Sequence, residues 1–247
     1  MPAEEIAAAG GKAVPIQGDV TDFASVANGR LGAWSILVGH ILATRQTYVR
    51  ALQQGGRFLD LRHASACRLM ELGVEYLAIG SLVPFFTKNH DLASPAAVLT
   101  DARREAGPTM PMHVYGAGDP CELPFLAACG ATIFDSASYG HYAQGGWYMT
   151  PYGALTDPGP VVAGEFACGC PVCREGNPVE VFGDEARLGR HNLWTICETV
   201  RGLRELVRDR ERLHARLEEI LRVHAAWFPG SRLVPSWRTV QDTIALP

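Results

Sequence analysis

The stretch Met112-His113-Val114-Tyr115-Gly116-Ala117-Gly118 is followed by helical spacing from Glu122 to Cys129 and then by Ala131-Thr132-Ile133-Phe134-Asp135-Ser136. Two short apolar runs, each ending in glycine or a small polar residue with one helix between them, read as parallel strands joined by a crossover. Working outward, Val14-Pro15-Ile16-Gln17-Gly18 and Tyr76-Leu77-Ala78-Ile79-Gly80-Ser81 repeat the strand pattern. Ser65 to Leu72 and Pro95 to Arg104 repeat the helical one. Strand and helix alternating at this pace imply an α/β fold of parallel β/α units. Gly73 and Gly130 stand where helix C-caps are expected.

In parallel β/α folds the chemistry collects at the carboxyl ends of the strands. Those ends carry Gln17, Gly80 with Ser81, Tyr115 with Gly116, and Asp135. Together they offer an amide that reads hydrogen bonds, glycines that let backbone approach a ligand, an aromatic face and one carboxylate. They are the candidate binding and catalytic set.

A second constellation lies downstream. Cys168, Cys170 and Cys173 form C-x-C-x-x-C, and His191 heads a long amphipathic stretch. Three thiolates and one imidazole complete the tetrahedral shell of Zn²⁺, and a closed shell has no position for water. The expected zinc, one per chain, is therefore structural. Gly169 and Pro171 suit the tight turn that delivers the three sulfurs.

The chain of 247 residues is long enough for one large domain, and its hydrophobic (47%) and charged (19%) fractions are those of a globular protein. A formal charge of −4 argues against a generic nucleic-acid coat but leaves room for a local basic face. The other four cysteines, Cys67, Cys121, Cys129 and Cys197, lie singly among apolar residues and are expected to be buried thiols of a reduced, cytoplasmic protein. The acidic start MPAEEIAAAG lacks the basic segment of a secretory signal, and the apolar run from Ala33 to Ala43 is too short to span a bilayer. Ala33 to Gln54 reads as a helix. From Leu188 to Trp227 a long helical pattern carries Arg201, Arg204, Arg208 and Arg212 on its polar side, a solvated face.

With strand ends and cysteine array side by side, the chain resembles the tRNA-guanine transglycosylase family, most closely its archaeal-type, archaeosine-forming branch. The resemblance rests on VPIQGD (14–19), DLRHASA (60–66), AIGSLVPFF (78–86), MHVYGAGDP (112–120), FDSASYGHYAQGGWYMTPYG (134–153), CGCPVC (168–173) and HNLW (191–194). It implies a (β/α)₈ TIM-type barrel with a zinc-bearing insertion and a long terminal helix. Residues 1–160 would form the barrel part, and 161–247 the zinc segment and C-terminal helices of the same domain. It implies exchange of a guanine in tRNA for a 7-deazaguanine, with Asp135 as nucleophile. Gln17, Ser81 and Leu82 would contact the base, with Gly80 and Gly116 beside them, and Tyr115 would pack on it. Cys168, Cys170, Cys173 and His191 match the zinc ligands.

The departures carry expectations too. No Asp-Ser-Gly-Gly-Phe-like strand, whose aspartate is the family's acid/base, precedes Val14, and a second, base-reading aspartate is missing. The barrel is thus expected to be incomplete at its N-terminus, and the chain to self-associate or take a partner that completes it. Alone the chain is expected to exchange guanine weakly; ordinary activity would mean that a carboxylate such as Asp19 or Asp60 on the lengthened loop had taken over the proton-transfer role. The alternatives are a noncatalytic or truncated member, and an enzyme acting on DNA.

Overall fold

The computed structural model describes residues 51–86 and 89–243. Its sheet is built from β1 (Ala51–Gln53), β2 (Leu77–Ile79), β3 (Met112–Tyr115) and β4 (Ile133–Asp135). All three pairings are parallel, and the spatial order is the chain order. Between the strands run α1 (Leu59–Glu71), α2 (Ala93–Ala106) and α3 (Leu123–Ala128). Four parallel strands in sequential order, each followed by a helix, form an arc of the kind that barrels are made of; doubly wound sheets reverse their strand order instead. This is the expected α/β architecture. The strands expected at 76–81, 112–118 and 131–136 and the three expected helices fall on these elements, whereas the strand expected at 14–18 lies outside the described residues. Gly73 (φ 68°) and Gly130 (φ 103°) end α1 and α3 in the positive-φ conformation expected of them.

Burial explains the arrangement. Leu77, Ala78 and Ile79 are fully enclosed, as are Met112 and Val114 on the neighbouring strand. A parallel strand covered on both sides reads as a continuous apolar run, as these do. Leu99, Ala102 and Ala66 close the layer from the helices, and Phe125 meets the edge of Trp237 at 4.7 Å between ring centroids.

One buried charge organises the carboxyl ends of β1 and β2. Arg62, on α1, has no exposed surface. Its guanidinium donates to the carbonyls of Gly56 (2.9 Å), Gln53 (3.4 Å), Gly80 (2.7 Å) and Ser81 (3.3 Å). Burial lowers its pKa only to about 10, so it stays charged. The four carbonyls replace the water it gave up, and they hold Ser81 at φ 57°, outside the usual range for a residue with a side chain.

After β4 come α4 (Ser138–Gln144) and an antiparallel hairpin, β5 (Tyr148–Thr150) with β6 (Gly153–Leu155). Three short helices, α5 (Gly159–Val162), α6 (Pro171–Glu175) and α7 (Pro178–Gly183), precede α8 (Glu185–Leu206), α9 (Arg210–Trp227) and α10 (Leu233–Val240).

The structure corrects three expectations. The helix expected over 33–54 does not include Ala51–Gln53, which pair with β2 instead; the remainder lies outside the described residues. The long helix expected from Leu188 is two helices, because Asp209 caps a new N-terminus by accepting from the Arg212 amide (3.0 Å). Cys197 is exposed and Cys67 half-buried, whereas Cys121 and Cys129 are enclosed as expected. The arginine row is a solvated face, with Arg201 paired to Glu198 and Arg208 to Glu205. Among the described residues no helix is long and apolar enough to cross a membrane.

Candidate functional site

The pleat of β3 and β4 delivers the central carboxylate. Asp135 is paired with Tyr115 in the parallel register, at the carboxyl ends of both strands. His113 lies two residues before Tyr115, on the same face, and reaches diagonally across the ladder. Its Nε2 stands 2.6 Å from Asp135 Oδ1, and its Nδ1 meets the Tyr76 hydroxyl. The arrangement that satisfies both bonds has Tyr76 donating to Nδ1 and the Nε2–H donating to the carboxylate. Tyr115 sets its ring edge-on to the imidazole, with 4.6 Å between centroids. One oxygen of Asp135 is thereby oriented, while the side chain remains 59% exposed.

Asp135 opens into a cavity of approximately 840 Å³. Tyr115, Gly116, His113, Val83, His141 and Tyr142 help to line it. Gly116 is at φ 76°, and a Cβ there would collide with Val83, so glycine is required on both counts. Tyr115, Gly116 and Asp135 are thus brought together. Ser81 is not on this wall; its hydroxyl donates to Gln54 Oε1 (2.6 Å). Gly80 is buried beneath Leu52, and Leu82 is fully enclosed, so the Leu82 side chain is core. Gln17 and Asp19 lie outside the described residues. Asp60 is exposed in the first turn of α1 and is not among the lining residues.

Two carboxylates that the sequence reading did not single out line the same cavity. Asp119 and Glu122 are 6% and 2% exposed. His90 Nδ1 is 2.7 Å from Glu122 Oε1 and 4.0 Å from Asp119 Oδ2. Asp119 also accepts from the Tyr142 hydroxyl (2.8 Å) and the Cys121 amide (3.1 Å). Burial disfavours a charged His90, but Asp119 and the Glu122 hydrogen bond outweigh it and hold the imidazole up at about 9. Burial pushes Glu122 up to about 7 against the pull of His90. The cluster therefore keeps protons at neutral pH on a wall of the cavity that holds Asp135.

The cysteine array is preassembled. Nδ1 of His191, on α8, lies 3.5, 3.6 and 3.5 Å from the sulfurs of Cys168, Cys170 and Cys173. A tetrahedron with ~2.3 Å metal–sulfur and ~2.05 Å metal–nitrogen bonds has S···N edges of about 3.6 Å. The donor set and its spacing fit zinc. His191 Nε2–H donates to the Met149 carbonyl (2.8 Å), which leaves the Nδ1 lone pair facing the sulfurs. The Cys170 sulfur accepts from the Cys173 amide, and Pro171 starts α6 where no amide donor is needed. Tyr148 stacks on the imidazole at 3.6 Å and bonds Cys173 Sγ at 3.2 Å. Leu155, Phe166, Val181 and Leu188 join Tyr148 in a small apolar core around this centre.

The family model described as queuine tRNA-ribosyltransferase matches residues 35–226. The tRNA-guanine(15) transglycosylase of Methanococcus aeolicus is 33% identical over 176 residues, covering 69% of this chain and 27% of the relative. That of Pyrococcus furiosus is 32% identical over 187 residues (73% and 31%), and that of Korarchaeum cryptofilum 36% over 178 (66% and 30%). The chain spans less than a third of the length of these relatives. With the Asp135 cavity at the ends of its parallel strands, the Cys₃His centre beyond them and the family model matched over most of its length, the chain belongs to the tRNA-guanine transglycosylase family, in its archaeal type.

Proposed function

We propose that this chain exchanges a guanine in tRNA for a 7-deazaguanine through a covalent glycosyl-aspartate at Asp135. The observation that carries the reading is the strand-end carboxylate fixed by His113 on a cavity wide enough for a purine. An Asp135 oxygen attacks C1′ of the ribose, the C1′–N9 bond breaks, and the guanine leaves with the electron pair and takes up a proton. N9 of the incoming base then attacks C1′, the bond to Asp135 breaks, and the N9 proton is given up. The phosphodiester backbone is untouched. The target base must leave its stack to enter the cavity, where the Tyr115 face and the Gly116 backbone are at hand.

Glu122 is the group on the cavity wall suited to supply and recover that proton, because burial keeps it near neutrality while His90 and Asp119 anchor it. His113 is a positioning residue: it holds Asp135 and is itself held by Tyr76. The Cys168, Cys170, Cys173 and His191 centre would hold one structural Zn²⁺, which ties the segment after β6 to α8. Gln17 is proposed to read the base.

A second reading, a subunit that completes its barrel with another copy or a partner, is favoured by β4. This strand borders the described sheet, and its Ile133 is 38% exposed. The test of the main reading is incorporation of labelled guanine into tRNA and into duplex DNA, side by side. Exchange confined to tRNA supports it. Exchange confined to DNA moves the substrate, and no exchange by the isolated chain that appears on adding a partner supports the second reading.

A further inference from the structure

On the outer surface, α1 and α2 bring together four side chains that the proposed reaction does not use. His63 and Cys67 are one turn apart on α1, and Asp101 and Glu105 one turn apart on α2. Cys67 Sγ lies 3.5 Å from His63 Nε2 and 3.5 Å from Glu105 Oε2. The imidazole, the sulfur and the Glu105 carboxylate each place a donor atom within 4.8 Å of the other two. His63 Nδ1 lies 3.2 and 3.3 Å from the two oxygens of Asp101.

These distances order the protons. A carboxylate with both oxygens at Nδ1 takes the Nδ1–H bond, which turns the Nε2 lone pair toward the sulfur. Three electron-pair donors then face one another: an imidazole nitrogen, a sulfur and a carboxylate oxygen. The Cys67 thiol has a single proton, which can satisfy His63 or Glu105 but not both. A cation satisfies all three. The S···N and S···O separations equal the edges of a tetrahedron around a metal with ~2.3 Å bonds to sulfur and ~2.0 Å bonds to nitrogen and oxygen, about 3.5 Å. A carboxylate behind the ligating imidazole is the usual outer support of such a site. In the buried group of His90, Asp119 and Cys121 the imidazole nitrogen that faces the other two donors is already engaged, lying 2.7 Å from Glu122 Oε1 in a hydrogen bond that a metal would have to displace.

We propose that His63 Nε2, Cys67 Sγ and Glu105 Oε2 form a second metal site that takes a borderline divalent cation, Zn²⁺ above all, with Asp101 orienting His63. Mixed nitrogen, sulfur and oxygen donors favour zinc over magnesium or calcium. Three protein ligands leave the fourth position to water, and His63 is 48% exposed, so the ion exchanges with solvent more readily than one closed in by Cys₃His. The ion clamps α1 to α2 from outside. The site is independent of the base-exchange reading.

The test is zinc titration of the full chain after demetallation, with bound metal counted by elemental analysis. Wild type is expected to hold two equivalents, while His63→Ala and Cys67→Ser each hold one, and Glu105→Gln binds the second equivalent at least tenfold more weakly. Added zinc should raise the Tm of wild type by more than that of Cys67→Ser. All three side chains reach the surface or lie near it, and circular dichroism checks that the variants keep the fold. A difference of zero between wild type and both His63→Ala and Cys67→Ser overturns the site. A wild type that holds a single equivalent, lost in His63→Ala, would support this site and count instead against the Cys₃His centre.

Discussion

Replacing Arg62 by methionine tests how the strand ends are held. Methionine keeps much of the volume and removes the charge and every donor. Four carbonyls, those of Gln53, Gly56, Gly80 and Ser81, then lose their shared partner in a place where Arg62 itself has no exposed surface. Orphaned buried polar groups cost about 1–3 kcal/mol each when water cannot reach them, so four of them at the lower figure come to a total of about 4 kcal/mol. The lower figure is appropriate here because the 3.4 and 3.3 Å bonds are weak and some of the carbonyls relax toward solvent. We expect a loss of about 4 kcal/mol, a large share of the roughly 5–15 kcal/mol that holds a domain together. Urea unfolding followed by circular dichroism measures it, with an unchanged m-value showing that the comparison is fair. Without the tether, Ser81 should also relax from its strained backbone conformation. A variant within about 1 kcal/mol of wild type, against the ~4 expected, would mean that the carbonyls find other partners and that Arg62 does not organise the site.

Cys170→Ala should lose the zinc of the Cys₃His centre, measured by elemental analysis, and with it at least about 4 kcal/mol, the linkage expected of an ion present at a thousand times its dissociation constant. His90 is raised from 6.5 to about 9, so its stabilisation is complete below pH 6.5 and lost as pH rises through 9; Glu122, raised to about 7, adds loss in the same direction from pH 4.5 upward. Denaturant midpoints should accordingly fall between pH 6.5 and 9 by the equivalent of about 3 kcal/mol, and His90→Gln should remove the part of the fall centred near pH 9 and leave the part due to Glu122. His113→Gln should lower the exchange rate about 10²-fold with KM little changed, because it displaces the carboxylate rather than the substrate.

What could be read in the sequence follows a physical divide. β2, β3 and β4 were legible because each is an apolar run closed by glycine or a small polar residue. β1 was hidden: three residues ending in a buried glutamine, at the end of the stretch read as a helix from Ala33 to Gln54, have no period of their own. The β5–β6 hairpin escaped for the same reason, with two three-residue strands around Pro151 and Tyr152. The break before α9 had a signal, Asp209 followed by Glu211, but the apolar spacing runs across it. At the site, Tyr115, Gly116 and Asp135 converge as their places at strand ends suggest, whereas Ser81 turns to Gln54 and Leu82 into the core. His113 was within reach of the alternation rule, being on the face of Tyr115. Arg62, Asp119 and Glu122 were not, because their partners are distant in sequence and only folding brings them together.

The most direct test of the account is a search for the covalent intermediate. End-labelled tRNA is incubated with the full chain, denatured, and resolved on a gel for a slowly migrating enzyme–tRNA species. The adduct is expected in wild type, fainter in His113→Gln, and absent in Asp135→Asn. An adduct that survives Asp135→Asn would contradict it.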